Sequence, residues 1–127
     1  MPLFVPAPGE GDPSKPMIDW INSAPPADLA AEIMGVYGPG GPGHEILGWT
    51  YFSDWMFRQY PPRKGIVVMG PPVQRPIREA IQLLEHSELV LRFGSESESW
   101  QVTRLGLATL ARGKDAVRQR IKDRTGM

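Results

Sequence analysis

Residues 75–113 read RPIREAIQLLEHSELVLRFGSESESWQVTRLGLATLARG, and this stretch decides the fold. Its first part carries apolar side chains at helical spacing: Ile77, Ala80, Ile81 and Leu84. That spacing predicts an amphipathic helix over residues 75–88. Two apolar runs follow, separated by a tip of serines and glutamates, which predicts a β-hairpin over residues 89–103. Because a lone hairpin is barely stable in water, it must pack against the helix before it and the apolar segment after it.

The rest of the chain, together with the end of this stretch, predicts three more helical segments and a short strand. A proline pair followed by apolar residues at helical spacing predicts a helix over residues 26–37. Residues 44–60 hold six of the eleven aromatic side chains, and we expect one long helix that is apolar nearly all round. The β-branched residues 66–69 predict a short buried strand. Residues 104–124 predict a C-terminal helical segment, with its terminal helix after Gly113.

The length of 127 residues suits one domain with one core. Residues 1–15 hold four prolines and two glycines, so we expect an extended or disordered arm before a single domain over residues 16–127. The chain has no cysteine, which fits a reducing cytoplasm. Its N-terminal residues have neither a basic start nor a long apolar run, so we expect no signal peptide and no membrane span.

Charge is balanced overall but divided along the chain. Residues 1–60 carry seven acids and two bases, whereas residues 61–127 carry twelve bases and seven acids. The net charges of the two halves are therefore −5 and +5. A positive half can meet a polyanion while the acidic half stays clear of it.

The residue types needed for catalysis or metal binding are scarce. Without cysteine, thiol nucleophiles and thiolate metal sites are excluded. His44 and Glu45 could begin a zinc motif, but Gly48 stands where the second histidine would be, and the other histidine is His86. We therefore expect a protein that is not an enzyme and that has no metal or cofactor.

Three runs in residues 77–113 resemble a known family. Residues 81–85, IQLLE, are similar to the end of a recognition helix, and residues 88–92, ELVLR, to the turn into a first wing strand. Residues 100–110, WQVTRLGLATL, are similar to an ending of the form aromatic-x-leucine-threonine-x-x-glycine-x-x-x-leucine. Together these runs resemble the C-terminal part of winged helix-turn-helix domains of the MarR and PadR type.

The resemblance implies a fold that is mainly α with a small β-hairpin wing, a winged helix-turn-helix-like domain with extra N-terminal helices. In such a domain Thr103 caps the helix that follows the hairpin, and Gly106 lets that helix pass close to its neighbour. The chain departs from the family where Ser87 and Glu88 replace the glycine that is usual before the first wing strand. Its wing is also acidic, at Glu96 and Glu98, where the family's wing is often basic.

The first function hypothesis is a small transcriptional regulator that binds double-stranded DNA. The side chains expected to reach the major groove project from the predicted recognition helix: Arg75, Arg78, Gln82 and His86. The bases expected to contact phosphate lie before that helix and in the tail: Arg63, Lys64, Lys114, Arg118, Arg120 and Lys122. The alternative for the helix residues is an ordinary solvated face.

The second hypothesis is a protein-interaction module, such as an adaptor, an inhibitor or an antitoxin-like partner. Leu47, Tyr51 and Trp55 form a second apolar stripe on the aromatic helix, where a protein partner could bind. A homodimer is also plausible through a seam in which Val117 and Ile121 continue the line of the apolar residues before them. In the alternative, both surfaces are covered within one chain.

Overall fold

Helices make up most of the described chain, which comprises residues 15–56, 71–93 and 99–126 of the computed structural model. The helices are α1 (Lys15–Ser23), α2 (Pro26–Met34), α3 (Trp49–Met56), α4 (Pro71–His86), α5 (Arg104–Ala111) and α6 (Lys114–Thr125), with a 3-10 turn at Gly35–Tyr37. The strands are β1 (Ile46–Gly48), β2 (Val90–Phe93) and β3 (Ser99–Val102). The prediction of a mainly α fold with a small antiparallel hairpin is confirmed, because β2 and β3 pair antiparallel.

α2 lies at the centre of the helical layer and packs against both α4 and α6. Its apolar side chains are almost completely buried: Leu29, Ala30, Ala31, Ile33 and Met34. Pro26 is the first helical residue, where its missing N–H costs nothing, and Asp28 lies in the positive first turn. The helix tightens into the 3-10 turn before Gly38.

α4 presents a buried stripe to this layer and a polar face to solvent. The stripe consists of residues at helical spacing: Val73, Ile77, Ala80, Ile81 and Leu84. The helix runs for sixteen residues and is the longest in the described part of the chain. None of the described helices is long and apolar enough to cross a membrane.

The three strands form an antiparallel sheet in the order β1-β3-β2. Its inner face is buried and carries Leu47, Val90, Trp100 and Val102. The outer face carries Ile46, Leu91 and Phe93, which are 39–46% exposed. Within the described part of the chain, the helices therefore cover the sheet on one side only.

An aromatic cluster joins the 3-10 turn, α3 and the sheet. The ring of Phe52 meets those of Tyr37 and Trp100 edge to face, with centroid distances of 6.0 and 5.6 Å. The Tyr37 hydroxyl donates a hydrogen bond of 2.7 Å to the carbonyl oxygen of Trp100. Burial raises the pKa of Tyr37 far above its usual value, so its hydroxyl stays protonated and keeps donating this bond.

The predicted helix over residues 44–60 is wrong at its start. Residues 46–48 form β1, and the helix begins only at Trp49. Ile46 pairs with Gln101 and Leu47 with Trp100, so a strand 53 to 55 residues away supplies the backbone hydrogen bonds that a helix would have made internally. Three residues are too few for an alternating pattern to stand out against a helical one.

Several predicted segments lie outside the described residues. These are most of the arm over residues 1–15, the end of the aromatic helix, the strand over residues 66–69 and the hairpin tip at residues 94–98. Lys15, assigned to the arm, is the first residue of α1.

The connection from the hairpin to α5 has the geometry expected from its sequence. The Thr103 hydroxyl accepts a hydrogen bond of 2.8 Å from the Gly106 N–H, which caps α5. The same hydroxyl donates to the carbonyl oxygen of Glu88 at 2.8 Å. Thr103 therefore joins the start of the hairpin to the start of α5. Gly113, at a φ of +104°, then separates α5 from α6.

Glu88 adopts the left-handed conformation that favours glycine. Its φ is +65°, and with Ser87 it stands where the resemblance implies a glycine before the first wing strand. The Glu88 carboxylate binds two arginines of α6, at 2.7 Å from Arg120 and 3.3 Å from Arg124. The ion pairs therefore offset a backbone strain of about 1 kcal/mol.

Two substitutions at Glu88 separate the ion pairs from the strain. We expect Glu88→Ala to lower the free energy of unfolding by about 1 kcal/mol, because it removes the ion pairs and keeps the strain. Glu88→Gly removes both, so it should be about 1 kcal/mol more stable than the alanine variant. Urea unfolding of the two variants measures the difference. An alanine variant as stable as the glycine variant would show that φ at residue 88 carries no strain.

Candidate functional site

The outward face of α4 forms one wall of a polar groove. Arg75, Gln82 and His86 are exposed on this face, and Arg78 is half-buried. Asn22, at the end of α1, lines the groove opposite α4, and the cavity has a volume of about 740 Å³. Three of the four predicted helix residues, Arg75, Arg78 and Gln82, line this one groove. His86 lines a neighbouring depression with Gln82.

Arg78 is held against an aromatic ring. Its guanidinium carbon lies 4.8 Å from the centroid of the Trp49 ring, within the range of a cation–π contact. Trp49 is the first residue of α3, so the strand-to-helix junction that prediction missed is what supports Arg78.

Arg92 extends the basic surface from α4 onto β2. Its guanidinium carbon lies 5.2 Å from the centroid of the Trp100 ring. A cleft of about 240 Å³ separates the two elements, and Arg78 and Arg92 both line it. Sequence reasoning missed Arg92 as a site residue. The signal was available, because a period of two places Arg92 on the same face of the strand as the buried Val90.

Acidic side chains limit the charge of this surface. Glu79 lines the groove and Glu85 lines the cleft. Three arginines thus face two glutamates, so the surface is only weakly positive. Any recognition of an anion here must depend on placed hydrogen-bond donors as much as on net charge.

The basic tail pairs with acids of its own chain. Lys114 binds Glu32 at 2.7 Å, and Arg118 lies 3.9 Å from Asp28, both on α2. Arg118 also binds Asp115. The pairs with Glu32 and Asp28 join bases of the positive half of the chain to acids of the negative half. Part of the charge difference between the two halves is therefore neutralised within the chain.

Arg120 is likewise engaged within the chain. It binds the Glu88 carboxylate and donates a hydrogen bond of 3.0 Å to the Ser87 carbonyl oxygen. Lys114, Arg118 and Arg120 were expected to contact phosphate, and their ion pairs within the chain compete with such contacts. Lys122 is exposed on the same helix. Arg63 and Lys64 lie outside the described residues.

The predicted protein-binding surfaces are largely buried in this chain. Leu47 is 0% exposed on the inner face of the sheet, and Val117 and Ile121 are 0% exposed on α6, which packs against α2. Their prediction as surface residues is wrong, because a helical stripe in the sequence does not reveal which neighbour covers it. The Trp55 indole N–H donates to the Glu32 carbonyl oxygen at 2.9 Å. Tyr51 alone of this set is well exposed, at 42%.

The α4 surface offers side chains that suit the recognition of a polar or anionic ligand. Arginine and glutamine side chains offer several N–H donors, which suit phosphate oxygens and the acceptor edges of bases. The described residues contain no group of three or more histidine, aspartate or glutamate side chains placed to hold a metal. Comparison of the chain with protein families, curated proteins and solved structures gives no match.

Proposed function

We propose that this protein is a winged-helix DNA-binding protein and that α4 enters the major groove. The order of elements supports the proposal: helix α2, strand β1, helices α3 and α4, then the hairpin β2–β3. The hairpin follows α4 directly, as the wing follows the recognition helix in the resembled family, and β3 lies between β2 and β1 in the sheet.

The observation that carries the proposal is the two-sided character of α4. One side carries the buried stripe from Val73 to Leu84, and the other exposes Arg75 and Gln82 on a single face. A helix of sixteen residues is about 24 Å long. It is slim enough for the major groove, where arginine recognises guanine and glutamine recognises adenine.

The electrostatic contribution to this binding must be local. The chain has no formal net charge, and three of the four predicted tail bases, Lys114, Arg118 and Arg120, pair with acids. Long-range attraction to DNA is therefore weak, and affinity depends on the arginines of α4 and β2. A protein with few phosphate contacts binds with a correspondingly shallow dependence on salt.

The salt dependence of duplex binding tests the proposal. Duplexes are selected from a random pool with the full chain, and their affinity is then measured by fluorescence anisotropy at several salt concentrations. We expect log affinity to fall linearly with log salt, with a slope of about −2 to −3 for about three phosphate contacts. Failure to select any duplex, or an affinity that salt does not change, would overturn the proposal.

A further inference from the structure

We propose that Arg78 and Arg92 form a phosphate-binding site in the cleft between α4 and β2, and that tryptophan rings hold both arginines in place. The site lies beside the base-reading position Arg75 and shares Gln82 with the groove that Arg75 lines. For a DNA phosphate as the ligand, the inference rests on the proposed function. For free inorganic phosphate it does not.

The two arginines share one mode of support. Arg78 lies over Trp49 at 4.8 Å and Arg92 over Trp100 at 5.2 Å, each measured from the guanidinium carbon to the ring centroid. Stacking uses the flat face of a guanidinium, while its N–H donors lie around the edge in the same plane. A stacked arginine can therefore bind an oxyanion through two N–H groups and lose little side-chain entropy in doing so.

The cleft between them has the size and the donors for a tetrahedral oxyanion. Its volume is about 240 Å³, and its walls are Arg78, Arg92, Gln82, Glu85, Ile81 and Trp100. Two guanidinium groups and one amide supply donors, from α4 and from β2. The Trp100 ring forms part of the cleft wall, and its indole N–H is buried without an acceptor among the described residues.

Among the residues that the structure describes, Glu85 is the one acid that lines the cleft. Its carboxylate repels an incoming phosphate and competes for the same N–H donors. The site therefore binds phosphate more weakly than its arginines alone would. Glu85→Gln keeps the shape of the side chain and removes the charge, so it should strengthen phosphate binding several-fold.

The first experiment uses inorganic phosphate and the full chain. Phosphate is titrated while NMR follows the side-chain Nε–Hε signals of the arginines. We expect the Arg78 and Arg92 signals to shift together and to saturate. Arg92→Ala should weaken phosphate binding at least tenfold, whereas Arg104→Ala, which removes an exposed arginine of α5, should leave it unchanged. If the Arg78 and Arg92 signals do not respond, or if both variants lose binding equally, the site is wrong.

A second pair of variants tests the role of the ring. Trp49→Leu keeps every positive charge but removes the stacking surface for Arg78. We expect it to weaken phosphate binding by about threefold, the effect of losing a contact of about 0.7 kcal/mol. Trp49→Phe retains an aromatic face and should restore most of the loss. Circular dichroism of both variants shows whether the fold is kept. If the leucine and phenylalanine variants bind phosphate with the same affinity, Trp49 does not position Arg78 through its ring.

The selected duplexes distinguish the two sources of phosphate. If the DNA backbone is the ligand, Arg92→Ala should weaken all duplexes equally and reduce the salt slope by about 1. If inorganic phosphate binds and no duplex does, the phosphate site stands and the DNA proposal fails. If duplexes bind while Arg92→Ala and inorganic phosphate have no effect, DNA binding stands and this site is overturned.

Discussion

Replacing Gly106 with alanine is expected to lower the free energy of unfolding by about 3 kcal/mol. A Cβ at this position would lie 2.1 Å from the carbonyl oxygen of Leu89 and 2.9 Å from Cγ2 of Val102. The first contact is the more severe, because it is with backbone. The carbonyl oxygen of Leu89 cannot easily move, since it accepts hydrogen bonds from both the N–H and the hydroxyl of Thr103.

The helix must therefore shift away from the hairpin. Alanine is the better helix former by about 1 kcal/mol, but this gain is smaller than the cost of separating α5 from β2 and β3. Loss of the Thr103 cap would add about 1 kcal/mol, because the Gly106 N–H is the group that Thr103 accepts from. Urea unfolding followed by tryptophan fluorescence measures the change in free energy. In thermal unfolding we expect the Tm to fall by about 10 °C.

Leu107→Ala is the matched control, since it lies on the same helix and is 39% exposed. It should change the free energy of unfolding by no more than about 0.5 kcal/mol. A Gly106→Ala variant as stable as this control would show that α5 does not pass so close to Leu89.

The largest expected effect on function is that of the double variant Arg75→Ala, Arg78→Ala. We expect the affinity for a selected duplex to fall on the order of a hundredfold or more, since each arginine contributes about 1–3 kcal/mol. The two losses should differ in kind. Arg75 is exposed on the base-reading face, so its loss should relax sequence preference, while loss of Arg78, stacked on Trp49, should weaken all sequences alike.

The control is the double variant Lys114→Ala, Arg118→Ala, which removes the same amount of positive charge. These residues pair with Glu32 and Asp28 on α2, so their loss should change duplex affinity no more than about twofold. Anisotropy titrations of both variants on one duplex make the comparison. Equal losses would mean that α4 has no special role and that only total charge matters.

Short-range patterns allowed much of the C-terminal half to be predicted. The apolar stripe of α4, the hairpin and the Thr103 cap each depend on residues within a few positions of one another. The polar face of α4 was predictable for the same reason, since one period places Arg75, Arg78 and Gln82 on one side. Arg92 was not predicted as a site residue, although a period of two places it on the same face of the strand as Val90. The reason is that its partner ring, Trp100, belongs to another strand.

The errors concern residues whose environment is set far along the chain. The sequence predicts Leu47 on the surface of a helix, whereas the structure places it in a strand, buried opposite Trp100. The sequence leaves open whether Val117 and Ile121 form a dimer seam or are covered within one chain, and in the structure α2 covers them. In each case the sequence identifies the side chain as apolar. Whether that side chain is buried within the chain depends on which element packs against it.

By itself the sequence determined the fold class, the buried and polar sides of α4, and the turn chemistry that joins the hairpin to α5. These follow from backbone preferences and side-chain periodicity, which act between near neighbours. Only the tertiary structure decided which charges are neutralised, because Lys114 finds its partner at Glu32, 82 residues away. It also decided that Arg78 and Arg92 share one cleft, since helix packing and strand pairing are what bring Trp49 and Trp100 beneath them.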